Sequence, residues 1–500
     1  MSETNTSLSD KFFLGQYHTI PNKPKPIVLG VLSRLIFMCD DLALDFFEYV
    51  DGKSETTRQQ LMDTLRGKHG EKQVKELIEE LTYCGLLYTE DKQPKEPNYS
   101  RFKHGQPEHF HPRNLALHIS HKCNLGCIYC YGGDGDYGLD KSIMSLDNTK
   151  RICDWHIAGL KESGIKKGNI TFFGGEPLVN WRIIEPVTEY IKEQTKDTDI
   201  KVTYGMTTNG TLITEEIAQI LKRVGIHPMI SIDGGREKQN RQRPFKGGRP
   251  SFDAVMKGVG TLMNVYGKRF SARATYIDLD LLETAKELYG LGFRNVYQSF
   301  CSGEFGEDLF TDEGLERQIA EHERLYEYYL DNLLKNNDET NNGDVRFPVG
   351  KTLMQNLSDL AKRRIRPWVC GAGRSYVGVS PEGNIYMCHR FVGDEQYYMG
   401  NAITGEIKEE LYQRVLNESN IRSGPCEDCW ARMFCSGHCF HHNLIASKTN
   451  DAFEQDENLC RLTRALTEIS IRVYYKLYNT DPELLKRVLG IQTPVEHEKE

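Results

Sequence analysis

The sequence predicts an α/β fold, and three observations predict it. Short apolar segments alternate with amphipathic helical patterns between Leu115 and Phe300, the loops after those segments carry Cys, Gly, Ser and Asp, and both flanks lose the alternation. The segments are LALHIS, NITFF, KVTYGMTT, MISID, FSARATYI and NVYQSF, a repeated β-α unit that builds a parallel sheet. Six strands are too few to close an eight-stranded barrel, but in barrel-like folds the chemistry sits in the loops that follow the strands.

Residues 1–92 read as a winged-helix-like module. One helix buries Leu42, Phe46, Phe47 and Val50 and stops near Gly52. A second sets Val74, Leu77, Ile78 and Leu81 at helical spacing and ends at Gly85, after which GLLYTED closes the module as a strand. Residues 93–112, rich in proline, charge and histidine without either period, read as a linker. The six strands occupy 113–302, a charged helical bridge 303–368, a cysteine-rich domain 369–465 and a helical tail 466–500. No internal repeat is present.

The 500 residues make about three compact units, and 39% hydrophobic with 27% charged residues is a globular composition. No apolar run approaches the roughly 20 residues of a membrane span, so no membrane partner is expected. The opening MSETNTSLSD lacks the features of a secretory signal, which places the chain in a reducing cytoplasm without structural disulfides. A net charge of -8 argues against a nucleic-acid partner. Fourteen cysteines are many for such a chain; ten fall into spaced clusters, while Cys39, Cys84, Cys153 and Cys301 stand alone, and metal ligation is the natural reading.

Directly after the first strand of the repeat stands CNLGCIYC, with Cys123, Cys127 and Cys130 at C-x3-C-x2-C spacing. A cubane 4Fe-4S cluster normally takes four thiolates, so three leave one iron open. The alternative is a zinc site, for which a fourth ligand is needed and His121 is awkwardly placed. This spacing after a first strand resembles the radical S-adenosylmethionine superfamily, over roughly Leu115 to Phe300. The resemblance implies a partial (β/α)6 barrel, a cluster whose open iron chelates S-adenosylmethionine, and reductive cleavage to a 5'-deoxyadenosyl radical. It gives Tyr129 a place near the adenine. Gly174, Gly175, Glu176 and Pro177 form its GGEP segment, whose glycines let the backbone approach the methionine end of the cofactor. Ser231 and Asp233 offer polar groups for the ribose, Arg243 ends the SIDG-to-Arg segment, and Arg273 matches the partner of the cofactor carboxylate. Gln239 and Asn240 depart from the family's His-Asp pair.

Seven cysteines lie downstream in the order C-x12-G-x4-C, gap, C-x2-C-x5-C-x3-C, gap, C. A zinc ribbon on CEDC is the alternative. In this context the pattern resembles the SPASM domain of radical enzymes that modify peptides and proteins. Carried over residue by residue, the resemblance gives Cys426, Cys429, Cys435 and Cys460 to an outer auxiliary cluster and Cys370, Cys388 and Cys439 to an inner one, making three 4Fe-4S clusters in all. The inner set lacks a fourth thiolate, which a substrate cysteine, Cys301 or an exogenous ligand would supply. Cys301 is a low-ranked candidate for a catalytic role, since an isolated cysteine is more often a core residue. His441 and His442 read as packing residues beside Cys439.

These resemblances imply a maturase of a ribosomally made precursor peptide, with the N-terminal module capturing a leader by strand addition and a flavodoxin or ferredoxin as reductant. The favoured reaction is a thioether between a peptide cysteine and a carbon. Alternatives are a carbon-carbon or carbon-oxygen crosslink, anaerobic sulfatase maturation, an iron-sulfur electron carrier, or a DNA-binding regulator. Sulfatase-maturating enzymes carry Asp after the cysteine matching Cys388, where this chain has His389.

Overall fold

The computed structural model describes residues 11–92, 109–293, 295–301, 304–335, 351–418 and 426–491. Most of the expected linker, 93–108, lies outside them. Its end is not free chain: Phe110 is buried against Tyr412 in the main core.

Six short strands open the chain: β1 (Lys11–Leu14), β2 (Tyr17–Ile20), β3 (Ile27–Gly30), β4 (Ile36–Met38), β5 (Glu55–Thr57) and β6 (Leu87–Tyr88). Three helices lie among them, α1 (Asp41–Val50), α2 (Arg58–His69) and α3 (Glu71–Tyr83). Asp40 caps α1 by accepting from the Ala43 N–H, and Thr57 with Gln60 forms a capping box on α2. The expected inward faces hold: Leu42, Phe46, Phe47 and Val50 meet Val74, Leu77, Ile78 and Leu81 in one small core. The strands form two antiparallel sheets, ordered β5-β1-β6 and β2-β3-β4. Strand β3 is buried on both faces, Val28 toward the module's own core and Ile27 and Leu29 toward a second core shared with helices far along the chain.

The central body alternates β7 (Asn114–Ser120), α4 (Leu146–Glu162), β8 (Lys167–Gly174), α5 (Ile184–Thr195), β9 (Lys201–Thr208), α6 (Glu215–Arg223), β10 (His227–Ser231), α7 (Arg236–Gln242), α8 (Phe252–Tyr266), β11 (Ser271–Tyr276), α9 (Leu281–Gly290) and β12 (Asn295–Phe300). All six strands pair in parallel in sequence order, as the alternating pattern predicts. The bridge is α10 (Asp312–Lys335) and α11 (Lys351–Ala361).

The cysteine-rich region contains β13 (Tyr376–Val379), β14 (Asn384–Tyr386), β15 (Tyr398–Asn401) and β16 (Glu406–Ile407), then α12 (Glu409–Glu418), α13 (Arg432–Cys435), α14 (Phe440–Ala446), α15 (Glu457–Thr480) and α16 (Pro482–Leu489). Two expected boundaries are corrected here. Strand β13 lies parallel to β7, so the four late strands extend the central sheet to ten and share its core rather than starting a separate one at 369. Helix α15 runs unbroken through position 465, burying Leu459, Leu462, Leu466 and Ile469 on one face, so the tail begins inside a helix that also carries Cys460. Among the described residues no helix is long and apolar enough to cross a membrane.

Candidate active site

A cavity of about 630 Å3 opens at the C-terminal ends of the parallel strands. Its wall includes Cys123, Cys127 and Cys130, then Tyr129, Gly174, Gly175, Glu176, Ser231, Arg243, Arg273 and Cys301 from the expected set. The strand order explains the gathering, because most of these residues lie at or just beyond the end of a parallel strand or on the cysteine loop, while Arg273 lies within β11 and Arg243 follows α7.

That loop is pinned to the segment after α7: Gly126 N–H donates to Pro244 O at 2.8 Å and Ile128 N–H to Gln242 O at 3.0 Å. Arg243 is thereby set beneath the cysteines, its Nη1 donating to Cys127 Sγ at 3.8 Å. Asn209 Nδ2 reaches Cys123 Sγ at 4.0 Å. Burial pushes the Cys123 thiol up to about 12, and the Cys127 thiol up to about 11 with the Arg243 cation opposing. Thiols held this way need a cationic partner to ionise, which iron supplies.

Several of the expected residues also hold the protein together. Asp233 is fully buried and absent from the cavity wall. Its carboxylate accepts from the Tyr129 hydroxyl and, at 2.9 Å, from the Thr275 N–H, and it forms an ion pair with Arg243 Nε at 3.0 Å that is off the N–H axis. It therefore braces Tyr129 and Arg243 from behind the cavity wall. Glu176 is likewise spent inside the protein, accepting from Leu178 N–H, Thr208 Oγ1 and, at 2.8 Å, Asn209 N–H, which ties β8 to β9. Gly174 has φ +123, and a Cβ there would press on the Ser120 carbonyl; one at Gly175 would meet Lys122 O at 2.7 Å. The glycines are required by this close approach to the protein's own backbone, and both also line the cavity. Pro177 opens the 3-10 turn after this segment and does not reach the cavity. Gln239 Oε1 accepts from the Asp233 N–H, and Asn240 Oδ1 accepts from the N–H groups of Ser251 and Phe252 at the start of α8.

Arg273 faces the cavity with no carboxylate within ion-pair distance among the described residues, and burial beside Arg390 lowers its pKa. A ligand carboxylate suits this guanidinium. Cys301 also faces the cavity, its thiol pushed up to about 11 by burial.

The far wall comes from the cysteine-rich region, which supplies Tyr376, His389 and Arg390. The Tyr376 hydroxyl lies 2.6 Å from His389 Nδ1, and Arg390 sits 4.9 Å over the Tyr131 ring. Sequence reasoning named His389 only as a departure from an aspartate and missed Tyr376, Arg390, Asn209 and Tyr131. Tyr131 and His389 directly follow cysteines already singled out, and Asn209 directly follows the strand KVTYGMTT. The downstream thiols fall into two neighbourhoods. Burial raises Cys388, with Cys439 and Cys370 adding repulsion; burial also pushes Cys435 up to about 12, with Cys426, Cys460 and Cys429 adding theirs. Among the described residues no three His, Cys, Asp or Glu side chains converge on a single ion. In a cubane each thiolate binds its own iron, so its ligands stand farther apart than those of one ion.

The family model described as the radical SAM superfamily matches residues 117–292. The uncharacterized protein MJ0907 of Methanocaldococcus jannaschii is 30% identical over 244 residues, 47% of this chain and 81% of that protein. The chain belongs to the radical SAM superfamily. Two further relatives of this radical SAM chain are the radical SAM cyclopropyl synthase TigE of Paramaledivibacter caminithermalis, 25% identical over 370 residues (70% of this chain, 72% of TigE), and the serine-type anaerobic sulfatase-maturating enzyme of Bacteroides thetaiotaomicron, 26% identical over 369 residues (68% and 84%). The solved structure of native anSMEcpe with bound AdoMet and Cp18Cys peptide shares the fold at a TM-score of 0.58 and 20% identity, covering 74% of this chain and 99% of that one. The superfamily's 4Fe-4S cluster and S-adenosylmethionine fit the near wall of the cavity: three thiols on one loop, an aromatic ring braced at Tyr129, and an uncommitted guanidinium at Arg273.

Proposed function

We propose that this radical SAM enzyme matures a ribosomally made precursor peptide by joining a peptide cysteine to a carbon as a thioether. One observation carries the reading: a single cavity is walled on one side by Cys123, Cys127 and Cys130 and on the other by Tyr376, His389 and Arg390, which flank Cys388. When bound, S-adenosylmethionine and its cluster would supply a 5'-deoxyadenosyl radical that takes one hydrogen atom from the acceptor carbon, and an auxiliary cluster would accept the electron released as the carbon-sulfur bond forms. Cys123, Cys127 and Cys130 hold that cluster, Arg273 takes the cofactor carboxylate, and Tyr129, braced by Asp233, offers its ring to the adenine. Ser231 contributes a hydroxyl toward the ribose. Cys370, Cys388 and Cys439 would hold the inner auxiliary cluster, and the peptide's cysteine would fill the missing fourth thiolate position, which would keep that sulfur deprotonated and oriented. Cys426, Cys429, Cys435 and Cys460 hold the outer cluster. The N-terminal module captures the leader, and a flavodoxin or ferredoxin in a reducing cytoplasm provides electrons.

Two relatives favour other outcomes of the same site. TigE, named for cyclopropyl synthesis, favours a carbon-carbon bond, and the Bacteroides enzyme favours oxidation of a serine or cysteine to formylglycine. The N-terminal module and His389 in place of an aspartate speak for a peptide maturase over sulfatase maturation. The test is anaerobic incubation of the reconstituted, reduced chain with S-adenosylmethionine. Formation of 5'-deoxyadenosine that is lost in Cys127→Ala supports the radical reading, and none from the parent chain refutes it. Mass spectrometry of an added precursor then separates the products: two hydrogens lost with a blocked cysteine, two lost with free thiols, or a formylglycine.

A further inference from the structure

His18 of β2 lies across a seam between two parts of the chain. Its ring stacks on Trp430 at 3.7 Å and 6°, and its Nε2 hydrogen-bonds to Glu468 Oε1 at 2.8 Å. Trp430 belongs to the loop that carries Cys426, Cys429 and Cys435, while Glu468 stands on α15, about two turns beyond Cys460. The preceding residue pair adds to the grip: Gln16 Nε2 donates to Asp428 O at 3.0 Å, and Arg432 Nη1 donates to Gln16 Oε1 at 2.7 Å. Beneath these polar contacts Ile20, Ile27, Leu29 and Ile36 of the β2-β3-β4 sheet share one core with Met433 and Phe434 of the loop and Leu466 of α15.

The loop itself is lightly built. Backbone N–H groups of Cys429, Arg432, Phe434 and Cys435 all donate back within it, and its one helix, α13, spans four residues. Its three cysteines stand beside Cys460 of α15. An iron-sulfur cluster held by those four side chains would cross-link loop and helix, the two surfaces that His18 spans.

We propose that the outer four-cysteine site anchors the N-terminal module, so that assembly of its cluster fixes the β2-β3-β4 sheet, and with it the peptide-capturing module, on the body of the enzyme. The proposal rests on the reading that Cys426, Cys429, Cys435 and Cys460 hold a cluster, and adds what that cluster does for the fold. Tryptophan and histidine form the clamp because flat rings stack over a contact that a small polar pair cannot make.

Hydrogen exchange of the full-length, anaerobically reconstituted chain, read together with iron content, tests this. Cys435→Ala is expected to lose about four irons, and residues 17–38 are expected to exchange about tenfold faster while the six parallel strands keep their protection. His18→Ala, which touches no cysteine, is expected to loosen the same segment at parental iron content. If Cys435→Ala loses the iron but leaves 17–38 protected, or if His18→Ala exchanges at the parental rate, the anchoring is overturned and the cluster reading stands. If Cys435→Ala loses no iron, the cluster reading fails and the anchoring falls with it.

Discussion

Arg243 and Asp233 form a buried pair, Nε to Oδ2 at 3.0 Å, and the same guanidinium reaches Cys127 Sγ at 3.8 Å through Nη1. The pair therefore joins the fourth parallel strand's loop to the cysteine loop, with the Tyr129 hydroxyl on the same carboxylate. Arg243→Ala leaves the Asp233 charge buried without its partner. The expected cost is about 3–5 kcal/mol in denaturant unfolding of the full chain, with Arg243→Lys recovering only part of it because a point charge cannot serve carboxylate and thiolate together.

Gly174→Ala tests the backbone approach at the end of β8. The φ of +123 and the Ser120 carbonyl in the path of a Cβ both oppose the substitution. A loss of about 1–3 kcal/mol or more is expected in thermal or denaturant unfolding, together with poorer reconstitution of the adjacent cysteine loop. The exposed Gly164, before the opposite end of β8, has φ +66 and a Cβ there would meet nothing within 4 Å, so it provides the comparison for strain without a clash.

Acid should weaken the helical bridge through His322. Burial against Tyr276 and Tyr326 lowers its pKa to about 4, while Nδ1–H donates to Gln318 O at 2.8 Å. The folded value lies below the unfolded one, so the stability it confers is complete above pH 6.5 and is lost as pH falls toward 4. The loss approaches about 3 kcal/mol. Unfolding midpoints at pH 7.5 and 5 measure it, and His322→Gln should shrink the difference by this one residue's share, the other buried histidines such as His156 and His438 keeping theirs.

Cys388→Ala removes the most buried of the inner thiols. On the proposed function it sheds about four irons, retains 5'-deoxyadenosine formation at the Cys123 site and loses the crosslinked product. Iron analysis and product mass read the two effects separately.

The parallel strands β7 to β12 were legible because each is a run of apolar and β-branched residues bounded by turns, and the cysteine loop because its spacing is compact. What escaped depends on partners distant in sequence. Strands β13 to β16 are two to four residues long, too short to show alternation, and β13 joins the sheet by pairing Tyr376 with Asn114. Nothing local to GGEP reveals that Lys122 O and Gly135 O pass within 3 Å of a Cβ at Gly175. The burial of Asp233 in SIDG was hidden for the same reason, because it is decided by Tyr129, Arg243 and Thr275, each from a different element. The late tyrosine, histidine and arginine of the far wall reach the cavity only through the β13 to β7 pairing.

The central claim is that the cavity brings a radical source to a peptide cysteine. The most direct measurement is the intact mass, before and after alkylation, of the cysteine-bearing peptide encoded nearest this chain, after anaerobic incubation with the reconstituted enzyme, S-adenosylmethionine and reductant. The account predicts a peptide lighter by two hydrogens whose cysteine resists alkylation. A peptide of unchanged mass with every thiol free, alongside 5'-deoxyadenosine in the same tube, would contradict it.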